Sequence, residues 1–142
     1  MRLGFFLTWF SWALFASSSA TAADFTCPAS VSVRQTVVNV PTGWEGTSGS
    51  DAPHFDRVSF YLKHPKDGGA LVPDRTEKRS GVESVTWNFV RGLRDEFWLG
   101  CLYTGTTVIL AQRLNTNISQ CVVQYDLLPS GVRLRLKIIS CK

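Results

Sequence analysis

Between residues 57 and 63 the chain reads RVSFYLK, in which Val58, Phe60 and Leu62 alternate with Arg57, Ser59, Tyr61 and Lys63. A period of two sends successive side chains to opposite faces, so this stretch is a strand with one face on a core and one in water. The same period recurs in 31–40, in SVTWNFV (84–90), EFWLGCLY (96–103), TVILAQRL (107–114), CVVQYDL (121–127) and VRLRLKI (132–138). None carries a helical stripe, which excludes a helix bundle and the alternating strands and helices of a parallel sheet. The expected class is all-β: a small antiparallel barrel or two-layer sandwich of about seven strands, eight if 70–72 joins. Turn residues at Thr104-Gly105, Asn115-Thr116-Asn117 and Pro129-Ser130-Gly131 divide 96–140 into a four-stranded meander.

The chain begins MRLGFFLTWFSWALFASSSATAADF. Arg2 forms a short basic region, an apolar run follows from Leu3 to Phe15, and Ala20-Thr21-Ala22 supplies small residues, the pattern of a secretory signal peptide. The apolar run is shorter than the roughly 20 residues that span a bilayer. Asp24-Phe25-Thr26 before Cys27 is not a lipoprotein signal. The expectation is a leader over 1–22, cleaved near Ala22 or Ala23, and one periplasmic β domain over 23–142 with no membrane anchor.

All four cysteines, Cys27, Cys101, Cys121 and Cys141, fall in that domain, and an even count in an oxidising compartment implies two disulfides. Of the three pairings, the reading favours Cys27 with Cys141, clasping the termini, and Cys101 with Cys121. A zinc site is disfavoured because no two cysteines lie close together in sequence, and no cofactor is expected.

The histidines, His54 and His64, flank the strand at 57–63. At about 3.3 Å per residue they stand roughly 20 Å apart or more, too far to share a metal or one small substrate. No nucleophile has a base to activate it: the cysteines are paired, and Ser48 in GTSGS sits in a polar loop instead of a strand-to-helix turn. Asp51, Asp67, Asp74, Asp95 and Glu96 are scattered over separate loops as turn formers or solvated charges. An enzyme is not expected. Asn117-Ile118-Ser119 matches a glycosylation sequon, a pattern too short to carry weight.

Two long connections, 41–53 and 64–81, are rich in Gly, Pro, Asp and Ser, and binding residues concentrate on such loops. Candidate partner-binding residues on them are Trp44, Asp51, His54, His64 and Asp67. Trp44, in PTGWEG, either folds back as a lid on the core, the more ordinary outcome, or faces a partner. Trp87 shares a face with Val85 and Phe89 and belongs to the core. The formal charge of +4 is too modest for nucleic-acid binding by an exported protein. Arg133, Arg135 and Lys137 alternate with apolar residues, which places three cations on the outer face of one strand, either an ordinary solvated face or a site for an acidic partner.

Together CPASV, PTGWEG, SDAPHFDRVSFYLKHP, GALVPD, VTWNF, WLGCLYTGTTVILAQRL, CVVQYD and the last cysteine resemble an uncharacterised family of short exported Gram-negative proteins with four cysteines. The resemblance runs through nearly all of 23–142, and departs from the family at Lys63, where a small or acidic residue often precedes His-Pro. It implies a periplasmic all-β protein and assigns no catalytic residue. Two functions fit: an inhibitor or immunity protein, monomeric or a small homo-oligomer, that masks an envelope-targeting toxin or cell-wall hydrolase; or an envelope module binding peptidoglycan, lipopolysaccharide or a small ligand.

Overall fold

In the computed structural model, which describes residues 23–90, 92 and 95–142, the RVSFYLK stretch lies within a strand, Phe55–Leu62. The leader read in 1–22 lies outside the described residues. Among the described residues ten strands follow one another: β1 (Ala23–Phe25), β2 (Val33–Gln35), β3 (Gly49–Asp51), β4 (Phe55–Leu62), β5 (Arg75–Arg79), β6 (Val82–Asn88), β7 (Phe97–Tyr103), β8 (Ile109–Arg113), β9 (Gln120–Leu127) and β10 (Arg133–Cys141). A 3-10 turn, Pro65–Asp67, separates β4 from β5.

The strands form a five-stranded sheet in the order β1-β10-β9-β6-β5, a three-stranded sheet β4-β7-β8 and a β2-β3 hairpin, all antiparallel. The two larger sheets pack as a sandwich and do not close into a barrel. Period-two alternation explains the packing: Val85 and Trp87 from β6 and Cys121, Val123 and Tyr125 from β9 face Val58 and Phe60 from β4 and Phe97, Leu99 and Cys101 from β7. Phe60 stands 4.9 Å from Trp87 and 5.4 Å from Phe89, and Phe89 stands 4.9 Å from Phe97, so an aromatic chain fills one end. Trp87 is a core residue, its indole N–H donating to the Leu71 carbonyl at 3.2 Å.

Three expectations are corrected. The 96–140 segment is not a four-stranded meander: β7-β8 and β9-β10 are hairpins in different sheets. The link between them crosses the end of the sandwich because Leu114 and Ile118 are apolar and become buried there, closing that end. The disulfides join Cys27 to Cys101 and Cys121 to Cys141, not Cys27 to Cys141 and Cys101 to Cys121. The reason is layer assignment: Cys121 and Cys141 face each other on adjacent strands of one sheet, with Cα atoms 4.1 Å apart, while Cys101 lies in the other sheet and reaches Cys27 across the core at 5.8 Å. Finally, 64–81 is not all loop. RTEKR forms β5, fully exposed and held by its ladder to β6. The two-residue link Ser80-Gly81, with φ of 50° and 75°, is the left-handed pair that tight hairpins use.

Candidate interaction surface

Residues 34–52 are exposed throughout, so β2, β3 and the loop between them form a finger that buries nothing in the core. The finger is ordered by local bonds. Trp44 N–H donates to the Pro41 carbonyl at 3.1 Å across a turn that places Gly43 at φ +88°, a conformation glycine adopts without penalty. Lower down, a Cβ on Gly46 would lie 3.0 Å from Val40 Cγ2 and 3.1 Å from Val37 Cβ, so the two sides of the loop touch at Gly46. Trp44 itself is 75% exposed. It does not fold back as a lid; Val37, Val38 and Val40 are exposed beside it in sequence.

Asp51 ends β3, and His54 follows at the root of the finger, paired with Ser30 and accepting the Thr104 N–H on its carbonyl at 3.0 Å. His64 and Asp67 belong to the opposite end of β4, eight residues or about 26 Å away at strand spacing. There the His64 Nδ1 accepts the Lys66 N–H at 3.2 Å, and its ring stands edge-on to Trp98 at 4.7 Å. Trp98 projects from the outer face of the three-stranded sheet, its indole N–H shielded and without an acceptor among the described residues. The five loop candidates therefore divide into Trp44, Asp51 and His54 on one arm, and His64 and Asp67 elsewhere.

Arg133, Arg135 and Lys137 are not one outward row. Register shifts between Arg133 and Arg135 and between Leu136 and Ile138 break the period of two. Arg133 turns inward, ion-pairs with the buried carboxylate of Glu83 and lies 4.2 Å over the Tyr125 ring. Arg135 and Lys137 share Asp126, at 2.7 and 3.8 Å. The hydrogen bond from Arg135 holds the Asp126 carboxyl below its usual range against a smaller opposing effect of desolvation. The sequence does signal the shift: Ile138-Ile139 puts Ile139 and Cys141 out of phase with Leu134 and Leu136.

Beside these cations lies a groove that the sequence did not reveal. It runs between Phe55 on β4 and Leu134 and Leu136 on β10, with His54 on its wall.

This architecture defines a small disulfide-stapled β-sandwich with a projecting hairpin on which Val37, Val38, Val40 and Trp44 are exposed, while other exposed apolar side chains, Val72 and Val90 among them, lie elsewhere on the surface. The chain belongs to the Type VI secretion system Tli immunity protein family, whose model matches residues 50–142. It is also 32% identical over 111 residues to an uncharacterized 16.3 kDa protein from the trpG 5′ region of Azospirillum brasilense, the alignment covering 73% of each chain. No solved structure matches. The family match takes in the sandwich from β4 onward and leaves β2 and Trp44 outside it. No helix among the described residues is long and apolar enough to cross a membrane.

Proposed function

We propose that this protein is a periplasmic immunity protein that binds and masks an envelope-acting toxin of a type VI secretion system, without catalysis. The observation that carries the reading is the family match over 50–142 on a disulfide-stapled scaffold. Two disulfides fit an oxidising compartment, and a leader at 1–22 accounts for export there. The finger is the proposed main contact: Trp44 is offered on an ordered turn, and an indole presented at little ordering cost is a frequent hot spot. His54 and Asp51 at its root extend the surface. His64 and Asp67 lie too far along β4 to join it. The pairing of Arg135 and Lys137 with Asp126, and of Arg133 with Glu83, disfavours a free cationic face for lipopolysaccharide or peptidoglycan.

The test is co-expression with a type VI secretion toxin targeted to the periplasm, together with the affinity of the purified pair. Trp44→Ala is expected to weaken binding by about 2 kcal/mol or more and to leave the melting temperature unchanged. Equal affinity for the variant rules out the finger as the main contact. Failure of the intact protein to protect against the toxin overturns the immunity reading itself.

A further inference from the structure

The finger is the outer part of a longer ribbon. Below β2 and β3 the pairing continues, with Val31 N–H donating to the Pro53 carbonyl at 3.2 Å, Ser30 bridged to His54, and Phe55 N–H donating to the Ala29 carbonyl at 2.8 Å. Each step forward on one arm is matched by one step back on the other, so 29–35 and 49–55 form one antiparallel ladder in a single register. The arms reach the sandwich differently. The arm 49–55 runs on into β4, whereas 29–35 comes from β1, a strand of the opposite sheet. Cys101, Tyr103 and Thr104, at the end of β7, hold both. Thr104 N–H donates to the His54 carbonyl at 3.0 Å on one arm; below the other, Cys101 is bonded to Cys27 and the Tyr103 hydroxyl donates to the Pro28 carbonyl at 3.0 Å.

We propose that the Cys27–Cys101 disulfide and the Tyr103 hydroxyl form a clamp that sets the direction and order of the finger, so that partner binding requires this disulfide; the inference rests on the finger being the toxin contact and adds what positions it. The ribbon cannot hold itself. Residues 34–52 are exposed throughout, and a two-stranded hairpin without a buried face is marginal in water. Its ladder is weakest just above the root, because Pro53 has no N–H and its pair with Val31 keeps one hydrogen bond. The clamp residues are the opposite case: Cys27, Cys101 and Tyr103 are all buried, so the core fixes their positions. With the disulfide open, 29–35 is joined to the three-stranded sheet by hydrogen bonds near a solvated surface. A finger loosened in this way must be ordered when a partner binds, which lowers affinity; a clamped finger is ordered beforehand. The second disulfide provides an internal comparison, since Cys121–Cys141 lies between β9 and β10 and contains no residue of the ribbon. Closing the clamp removes two protons and two electrons from the thiols of Cys27 and Cys101, which a disulfide-bearing oxidant of an export compartment accepts. The finger therefore acquires its binding geometry on oxidation.

The test compares the native protein with three variants: Cys27→Ala, Cys101→Ala; Cys121→Ala, Cys141→Ala; and Tyr103→Phe. Order parameters from residual dipolar couplings at the Val33 and Asp51 amides read the finger, and those at Val85 and Val123 read the sandwich. Opening the clamp is expected to lower the finger values from about 0.85 to below about 0.6 and to leave Val85 and Val123 near about 0.85. Removing the other disulfide is expected to leave the finger ordered. Tyr103→Phe keeps the disulfide and is expected to lower the finger values less, as the loss of one hydrogen bond should; it decides the matter if Cys27→Ala, Cys101→Ala does not fold. Unchanged finger values in the clamp variant that folds overturn the clamp, and so does an equal loss in Cys121→Ala, Cys141→Ala. In that last protein Cys27–Cys101 is the remaining disulfide. An excess of a dithiol, oxidised to its own disulfide as the two cysteines take up two protons and two electrons, is expected to loosen the finger and to weaken binding of a type VI secretion toxin by about tenfold or more. A loosened finger with unchanged affinity overturns the link to binding and removes the finger as the contact, while protection by the native protein still upholds the immunity reading. If the couplings change as expected but the native protein gives no protection, the immunity reading fails and the clamp stands on the couplings alone.

Discussion

The backbone N–H of Val58 donates to the hydroxyl of Tyr125 at 3.0 Å, joining residues 67 positions apart and one sheet to the other. Val58 lies on β4, so its N–H faces into the sandwich at the edge of the three-stranded sheet, where no neighbouring strand takes it. Tyr125 lies on β9 and is 1% exposed. An apolar ring with a polar tip solves two problems at one position, filling the core and satisfying a backbone donor that water does not reach.

Tyr125→Phe keeps the ring and orphans that donor, so a loss of about 1–3 kcal/mol is expected by denaturant unfolding. The pH dependence separates this bond from simple packing. Burial pushes the Tyr125 hydroxyl above its ordinary value of 10.0, outweighing the Val58 N–H and the Arg133 charge, which act the other way. A group raised in the folded state contributes stability that is intact below its unfolded value and lost as pH rises through its folded value. The native protein is therefore expected to lose stability above pH 10 more steeply than Tyr125→Phe. Parallel curves for the two proteins eliminate the hydroxyl as the cause.

The two disulfides close loops of different size, 74 and 20 residues. On chain entropy alone, replacing Cys27 and Cys101 by alanine costs about 4 kcal/mol and replacing Cys121 and Cys141 about 3 kcal/mol. The structure widens the gap, since Cys27–Cys101 ties the segment after β1 to the other sheet while β9 and β10 stay joined by their own ladder. Peptide mapping without reduction is expected to recover the Cys27–Cys101 and Cys121–Cys141 pairs. Recovery of Cys27 with Cys141 contradicts the layer assignment.

The strands were legible because Val58, Phe60, Val85, Trp87, Val123 and Tyr125 obey one period, and that period is local. Pairing was not. Cys101 and Cys121 look like neighbours because both lie in a run of closely spaced strands, and only the burial of Leu114 and Ile118 across the end of the sandwich puts them in different sheets. β5 was hidden by its composition, since RTEKR has no apolar residue and draws its order from β6. Of the site, the loop at 41–53 and the separation of His54 from His64 could be read in the chain, but not the exposure of Trp44, which more ordinarily folds back as a lid. The β10 groove could not, because its walls come from β1, β4 and β10, segments far apart in the sequence.

Gly100 is a position where the fold has no room for a side chain. A Cβ there would lie 2.6 Å from Tyr61 Cε2 and 3.0 Å from Ile109 Cγ2, on the outer face of the three-stranded sheet. Tyr61 is 7% exposed and cannot swing out freely. Gly100→Ala is expected to cost about 1–3 kcal/mol by overpacking, and Tyr61→Ala in the same chain is expected to absorb part of that cost. Additive losses in the double-mutant cycle refute a contact between the two.

Arg133 and Glu83 give an asymmetric pair. Glu83 is 5% exposed, while the Arg133 side chain remains 39% exposed, so the two ends of the pair differ in how far they are removed from water. Removing the arginine leaves a shielded carboxylate with Lys78 at 3.7 Å as its one remaining cation among the described residues, and also strips the guanidinium from the Tyr125 ring. Removing the charge on the glutamate leaves an arginine that water can reach. Arg133→Ala is therefore expected to cost about 2–3 kcal/mol, below the full range for a wholly buried pair because Arg133 is partly solvated, whereas Glu83→Gln is expected to cost about 1 kcal/mol. The order of the two losses is the decisive quantity, read from urea midpoints at neutral pH with a common slope. A larger loss for Glu83→Gln than for Arg133→Ala shows that the carboxylate is the solvated member, and that Arg133 on β10 is held mainly by something other than this pair.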